Sequence, residues 1–352
     1  MPMKIISEKK ELERYLKGAI RSKLQVNRFY EADSEILKLG KSEFLTSSID
    51  SFGEEWSIGL YQKLETLARV CVHGTLSDLV VTGADPLGFL FSPLWTFKDS
   101  QDTKKIIFET MIKELRKLKV PLLGGDEGRS KSLSLTGVAL GRSKNKPIQR
   151  VGIKSGQVLC SLGSFGAGPA LGLQFLLGLR KNSVLEDAYQ PKAFISAIPA
   201  IRDFAKASMD GSDGFLSTLN TLSHLNDVHF EIDAKSIQTE KHALKFCSDH
   251  QIPRLSLWFG EVGDYQAIFT VEEGEFAKLK KRLPEVRRIG FVLPKRQKKH
   301  IFRFREKNTE VNLDQFFNLP RSTPAEYLEA FSLMLSWIED EKLSHVKKNI
   351  PK

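Results

Sequence analysis

Five aspartates stand beside small, hydroxyl or glycine residues: Asp33 in Glu31-Ala32-Asp33-Ser34, Asp50 in Ser47-Ser48-Ile49-Asp50-Ser51, Asp78 in Leu76-Ser77-Asp78-Leu79, Asp126 in Gly124-Gly125-Asp126-Glu127-Gly128, and Asp213 in Gly211-Ser212-Asp213-Gly214. Most lie at the ends of apolar segments. A carboxylate there is costly to desolvate unless it is hydrogen-bonded or bound to a cation. Few of the seven histidines lie near these segments and no Cys-x-x-Cys pair occurs. An all-oxygen set of this kind suits a hard ion such as Mg2+, which keeps waters and bridges phosphate oxygens. Phosphoryl chemistry is the natural use, with Asp33, Asp50, Asp78, Asp126 and Asp213 as candidate metal ligands. Each acid taken singly also suits a helix cap or turn. Asp78 fits that alternative worst, because it sits inside an apolar helical stretch where a cap has no task. Asp85 and Asp210 are assigned to turns or packing.

Two glycine-rich turns offer an anion close backbone approach. Gly124-Gly125 follows the apolar run Val120–Leu123, and Gly163-Ser164-Phe165-Gly166-Ala167-Gly168 precedes an apolar helix. The second matches neither GxxxxGK[ST] nor GxGxxG, and glycines that merely let a strand meet a helix would look the same.

The elements that must position these residues follow from periodicity. Strands are predicted over 43–50, 88–95, 132–140, 158–162, 229–233, 267–271, 288–292 and 300–305, and helices over 64–81, 104–118, 170–179, 212–225 and 239–248. Thr323-Pro324-Ala325-Glu326 is a capping box with proline at the first helical position, opening a helix to about Leu343. The stretch 141–156 is poor in large apolar groups and marks a boundary, giving an N-terminal domain 1–148 and a C-terminal domain 149–352 that ends in the capped helix.

At 352 residues with 41% hydrophobic and 27% charged residues, the chain can build more than one core and is not of disordered composition. The formal charge of +10 favours anionic partners without choosing among them. Cys71, Cys160 and Cys247 are far apart and embedded in apolar runs, which reads as buried thiols in a reducing compartment. No apolar leader and no membrane-length apolar run is present, so a cytoplasmic place is expected. A basic stretch with Arg287, Arg288, Lys295, Arg296, Lys298, Lys299, Arg303 and Arg305 interleaves Phe302 and Phe304. Such interleaving can bind nucleic acid. A solvated hairpin with both phenylalanines on one face explains it more simply, so nucleic acid is not the expected partner.

Taken in order, these segments resemble the superfamily of aminoimidazole ribonucleotide synthetase, thiamine-monophosphate kinase, selenophosphate synthetase and the hydrogenase-maturation carbamoyl dehydratase. Asp33 matches the second acid of GDDAAVL, SSIDS matches TTDS, LSDLVVTGADP matches SDLAAMGAxP, and LGGDEGR matches the GGDT turn. RVGIKSGQVLCSLGSFGAGPALGL, MDGSDGFLSTLNTL and GEVGDYQAIFTV are similar to later family segments, so the likeness runs from about residue 25 to 293. Among the branches, the SDG motif and the Asp-Tyr strand look most like thiamine-monophosphate kinase. The resemblance implies a PurM-like fold: an α+β N-terminal domain with a mixed sheet forming a barrel across a dimer, and a C-terminal α/β domain. It also implies ATP held through Mg2+ by the aspartates, a small phosphorylated substrate and a homodimer. Gly124, Gly125, Arg150 and Ser212 would meet the nucleotide, and Asp126 and Asp213 would serve catalysis. Arg150 by itself could also be an ordinary surface arginine, and His73 is expected to pack in its helix. The chain departs from the family where the glycines before Asp33 are replaced by Phe29-Tyr30-Glu31-Ala32, and where GGEDYE becomes Gly260-Glu261-Val262-Gly263-Asp264-Tyr265-Gln266. A nucleotide-binding paralogue without this catalysis is the alternative.

Overall fold

The structure, a computed structural model, describes residues 13–179, 184–295, 301–304, 309–319 and 323–339. The first sheet contains β1 (Glu35–Gly40), β2 (Glu43–Phe52), β3 (Asp85–Trp95), β4 (Leu122–Gly125), β5 (Gly128–Arg129) and β6 (Ser134–Ser143), in the order β1-β2-β6-β3-β4 with β5 on β3. It is mixed as expected: β1, β2, β6 and β3 pair antiparallel, whereas β3 and β4 pair parallel. The parallel step is made by the amphipathic Gln101–Leu118 helix, which buries Ile107, Met111 and Leu115 and is capped by the Ser100 hydroxyl on Thr103 N–H. One row crosses this sheet through Asp50, Gly137, Phe91 and Gly125.

Alternation along β2 and β6 turns one face inward, with Phe44, Thr46, Ser48 and Phe52 buried, and leaves the other uncovered. On that outer side Ile49, Val138 and Leu90 share a row, and Ile49 is 70% exposed.

The second sheet has the order β13-β12-β9-β11-β7-β10-β8, built from β7 (Val158–Leu162), β8 (Ala207–Asp210), β9 (Val228–Ile232), β10 (Ala267–Val271), β11 (Arg287–Pro294), β12 (Ile301–Phe304) and β13 (Thr309–Asn312). Helices and strands alternate along the chain as expected of an α/β domain, but the sheet is not a parallel-wound one. Among the described residues only β12 on β9 is parallel, and the other five neighbouring pairs are antiparallel. The helical excursions return to non-adjacent positions instead of laying consecutive strands side by side. The capping box forms as expected: Thr323 and Glu326 exchange backbone-to-side-chain bonds at 3.1 and 3.2 Å, and the helix runs Pro324–Glu339. Residues 296–300 and 305 of the basic stretch lie outside the described residues.

Between the two sheets lies the Leu64–Thr82 helix, expected to end at Val81 and closed by left-handed Gly83 (φ 72°). Fifteen of its nineteen residues are buried, which is why it lacks a polar face. Gly74 lets it approach, because a Cβ there would sit 2.7 Å from the Phe52 ring. Its C-terminal half touches β8 and β10, so a single helix belongs to both cores. All three cysteines are buried and free. No helix among the described residues is long and apolar enough to cross a membrane.

Candidate active site

The central helix brings acids of both halves together. Asp78, in its last turns, lies beside Ser48 of β2, whose hydroxyl donates to Asp78 Oδ2 and, at 3.4 Å, to Asp50 Oδ2. One residue earlier, the Ser77 hydroxyl donates to Asp210 Oδ2 at 2.5 Å, reaching the end of β8 in the second sheet. Asp33 arrives from the segment before β1. Carboxylate oxygens of Asp33, Asp78 and Asp210 lie within 4.8 Å of one another. Asp33 Oδ2 is buried and accepts no hydrogen bond among the described residues. Three converging carboxylates, one of them with a buried oxygen that has no donor, fit a hard divalent cation.

Asp210, assigned from sequence to a turn or packing role, is thus part of the cluster. Its partners come from a helix 133 residues away and from the Ser212 hydroxyl at 2.8 Å, which no local pattern reveals. Two signals were available: its place at the end of a short apolar strand, Ala207–Asp210, and its position in the MDGSDG segment that resembles the family. Asp213 lies exposed in the loop that follows, close enough to influence Asp50.

Crowding shows in the proton affinities. Burial lifts the Asp78 carboxyl well above the usual range, and the charges of Asp50, Asp210 and Asp33 add to it. Asp210 is pushed up to about 7 by burial and by Asp33, with the Ser77 and Ser212 hydroxyls and Arg150 pulling the other way. Asp50 is raised chiefly by burial, against a hydrogen bond from Ser48. Without a cation, these groups resist being charged together.

Arg150 is not an ordinary surface arginine, since its head is tied to an acid of the cluster. Its Nη2 donates to Asp33 Oδ1 at 3.0 Å, with side-chain exposures of 14% and 1%. Burial opposes the guanidinium charge, but Asp33 more than offsets this, and Arg150 holds its proton more firmly than a free arginine. The guanidinium carbon lies 4.8 Å from the centre of the Tyr30 ring, and Tyr30 has φ 68°. A left-handed backbone costs a residue with a Cβ about 1–2 kcal/mol.

Asp126, Gly124 and Gly125 stand apart from this cluster. Gly125 is three inter-strand spacings, about 14 Å, along the row from Asp50. A Cβ at Gly125 would sit 1.8 Å from the Phe91 carbonyl oxygen, so that glycine permits the close β3–β4 pairing; Gly124 has φ 142° with open space around it. Asp126 is exposed, its N–H donating to Phe91 O at 3.2 Å.

The second glycine turn answers to an acid of the protein itself. Gly166 and Gly168 N–H each donate to Asp264 at 2.6 Å, one to each oxygen. His73 does more than pack in its helix: Nδ1 accepts the Ala193 N–H at 3.0 Å and Nε2 faces Glu114 at 3.4 Å.

Residues 31–143 match the family described as AIR synthase related protein, N-terminal domain. The chain is similar to thiamine-monophosphate kinases, among them that of Buchnera aphidicola from Acyrthosiphon pisum, at 28% identity over 77% of this chain and 86% of the relative. The Escherichia coli thiamine-monophosphate kinase is 29% identical over 59% of this chain and 65% of that protein. The fold is that of the Aquifex aeolicus thiamine monophosphate kinase, with a TM-score of 0.69 at 18% identity, covering 86% of this chain and 96% of that one. A related structure, described as AaThiL complexed with AMPPCP and TMP, gives a TM-score of 0.71 at 20% identity over 87% and 95%. The E. coli hydrogenase maturation protein HypE shares the fold at a TM-score of 0.62 and 16% identity, over 80% and 87%.

Proposed function

We propose that this protein is a kinase that uses ATP and Mg2+ to phosphorylate thiamine monophosphate, giving thiamine diphosphate and ADP. The observation that carries the reading is the convergence of Asp33, Asp78 and Asp210 at the seam between the two sheets, with an unpartnered buried oxygen on Asp33. Likeness to thiamine-monophosphate kinases over 77% of this chain supplies the substrate class.

Asp33, Asp78 and Asp210, with Asp50 and Asp213 nearby, would hold Mg2+. Bound there, it would neutralise negative charge on the transferring phosphates. Asp126 and Asp213, the exposed acids, are assigned to the reacting phosphates, and Gly124, Gly125, Arg150 and Ser212 to the nucleotide. The Ser48, Ser77 and Ser212 hydroxyls fix the carboxylates, so alignment is supplied before substrate arrives. The monoester oxygen of the acceptor is already ionised near neutral pH, and no general base is required. This agrees with an acid cluster that contains no histidine among the described residues.

The uncovered face of the first sheet, with Ile49, Val138 and Leu90 in one row, suits pairing with a second copy into a barrel, and we assign a homodimer to it. The buried free thiols suit work in the cytoplasm.

Incubation with ATP, Mg2+ and thiamine monophosphate is expected to give ADP and thiamine diphosphate in equal amounts, followed by chromatography. Binding of ATP and Mg2+ without product from this or other phosphomonoesters would reassign the chain to a nucleotide-binding paralogue.

A further inference from the structure

The Phe29–Asp33 segment does something local that the kinase reading does not require. Arg150 is fixed along its whole length. Its N–H donates to Glu31 O at 2.7 Å, its carbonyl accepts from Asn226 Nδ2 at 2.8 Å, and its Nη1 lies 3.5 Å from Tyr30 O. The head is then held between a carboxylate and a ring: Nη2 on Asp33 Oδ1, and the Tyr30 ring 4.8 Å away on the guanidinium carbon. Arg150 Nε is buried without an acceptor, so among the described residues Asp33 and the Tyr30 region retain the head. Tyr30 takes up this place with a backbone angle of φ 68°, which a glycine would adopt without strain.

We infer that Tyr30 is a positioning residue which holds Arg150 on Asp33, so that a built-in guanidinium stands as resident counter-charge in the acid cluster and competes electrostatically with the divalent cation. The inference rests on the Mg2+ reading of that cluster. Arg150 bonds Asp33 Oδ1, Oδ2 accepts no hydrogen bond among the described residues, and the Asp33 carboxylate lies beside those of Asp78 and Asp210, so both positive charges can face one carboxylate. A fixed guanidinium stabilises the cluster while no metal is bound and weakens the attraction for Mg2+, because the two cations repel across a short distance of low dielectric. A ring stacked on the guanidinium resists its departure toward water.

The test uses the full chain and Mg2+ alone, by titration calorimetry and by thermal unfolding across Mg2+ concentrations. Tyr30→Gly removes the ring while relieving the left-handed backbone. It should bind Mg2+ about three- to tenfold more tightly than the wild type, through release of the guanidinium. Tyr30→Phe keeps the ring and should restore wild-type affinity. Arg150→Gln removes the charge outright and should show a larger Mg2+-induced rise in unfolding temperature than the wild type, even if its metal-free form is less stable. Equal Mg2+ affinity in Tyr30→Gly and wild type, a shift in Tyr30→Phe equal to that of Tyr30→Gly, or a rise in Arg150→Gln no larger than the wild type's would each overturn the role given to Tyr30 and Arg150. If wild type itself binds no Mg2+, the metal reading of the cluster fails, and this inference fails with it.

Discussion

Asp264 and the Asp33–Asp78–Asp210 cluster are both sets of carboxylate inside the protein, and they are treated oppositely. Both oxygens of Asp264 receive backbone N–H groups, from Gly166 and Gly168, at 2.6 Å. In the cluster, the Ser48, Ser77 and Ser212 hydroxyls and Arg150 each give one bond, Ser212 N–H adds a longer one to Asp210 at 3.3 Å, and Asp33 Oδ2 receives none among the described residues. Amides that cannot move satisfy a carboxylate and end its chemistry. Hydroxyls that supply a single bond each orient it and leave lone pairs for something else. A glycine-rich turn therefore does not mark a phosphate site by itself, since its amides can be consumed at home.

The largest expected effect separates the two regions by activity. Asp78→Asn should lower kcat/KM for ATP-dependent phosphorylation by on the order of 10²-fold or more, since it removes charge where transition-state charge is neutralised. Product assays with and without Mg2+ check it, and near-normal turnover would remove Asp78 from the site. Asp264→Asn should leave Mg2+ affinity unchanged while costing about 1–3 kcal/mol of stability, because one backbone donor loses its acceptor. Chemical denaturation measures that loss; altered Mg2+ affinity with intact stability would reverse the contrast.

A pH series sharpens it further. Asp210 is raised in the folded protein to about 7 from an ordinary 3.8, so the folded form prefers it protonated. The corresponding stability is present at low pH and is lost as pH rises through about 7. Metal-free protein should melt about 2 °C lower at pH 8 than at pH 6, and Asp210→Asn should reduce that difference. A wild-type melting temperature that rises over this range without metal would contradict the crowding described here. The smallest effect concerns the outer face: Ile49→Arg should shift the species seen by light scattering toward monomer with little change in melting temperature.

The elements were largely legible because their patterns are local. Alternation in Ser134–Ser143, and helical spacing of Ile107, Met111 and Leu115, place inward faces without knowledge of the rest. Asp33, Asp50 and Asp78 were recognisable as acids in costly surroundings. Asp210 and the Arg150–Asp33 pair were not, since what defines them lies 133 and 117 residues away along the chain. The sheet order of the second half was hidden for the same reason: pairing of Ala267–Val271 with both Val158–Leu162 and Ala207–Asp210 is a long-range choice.

Neighbouring side chains on the central helix, Ser77 and Asp78, reach in different directions, one to the end of β8 and the other to β2, and His73 on the same helix receives the Ala193 amide. A single rigid rod is bolted to both sheets within a few residues of the acids. Rotation of one half against the other about a hinge would tear these bolts, so the halves move as one body during turnover. Ligands must then enter and leave by rearrangement of small parts around the cluster, with the Asp210–Gly214 turn and the Phe29–Asp33 segment as the parts that border it.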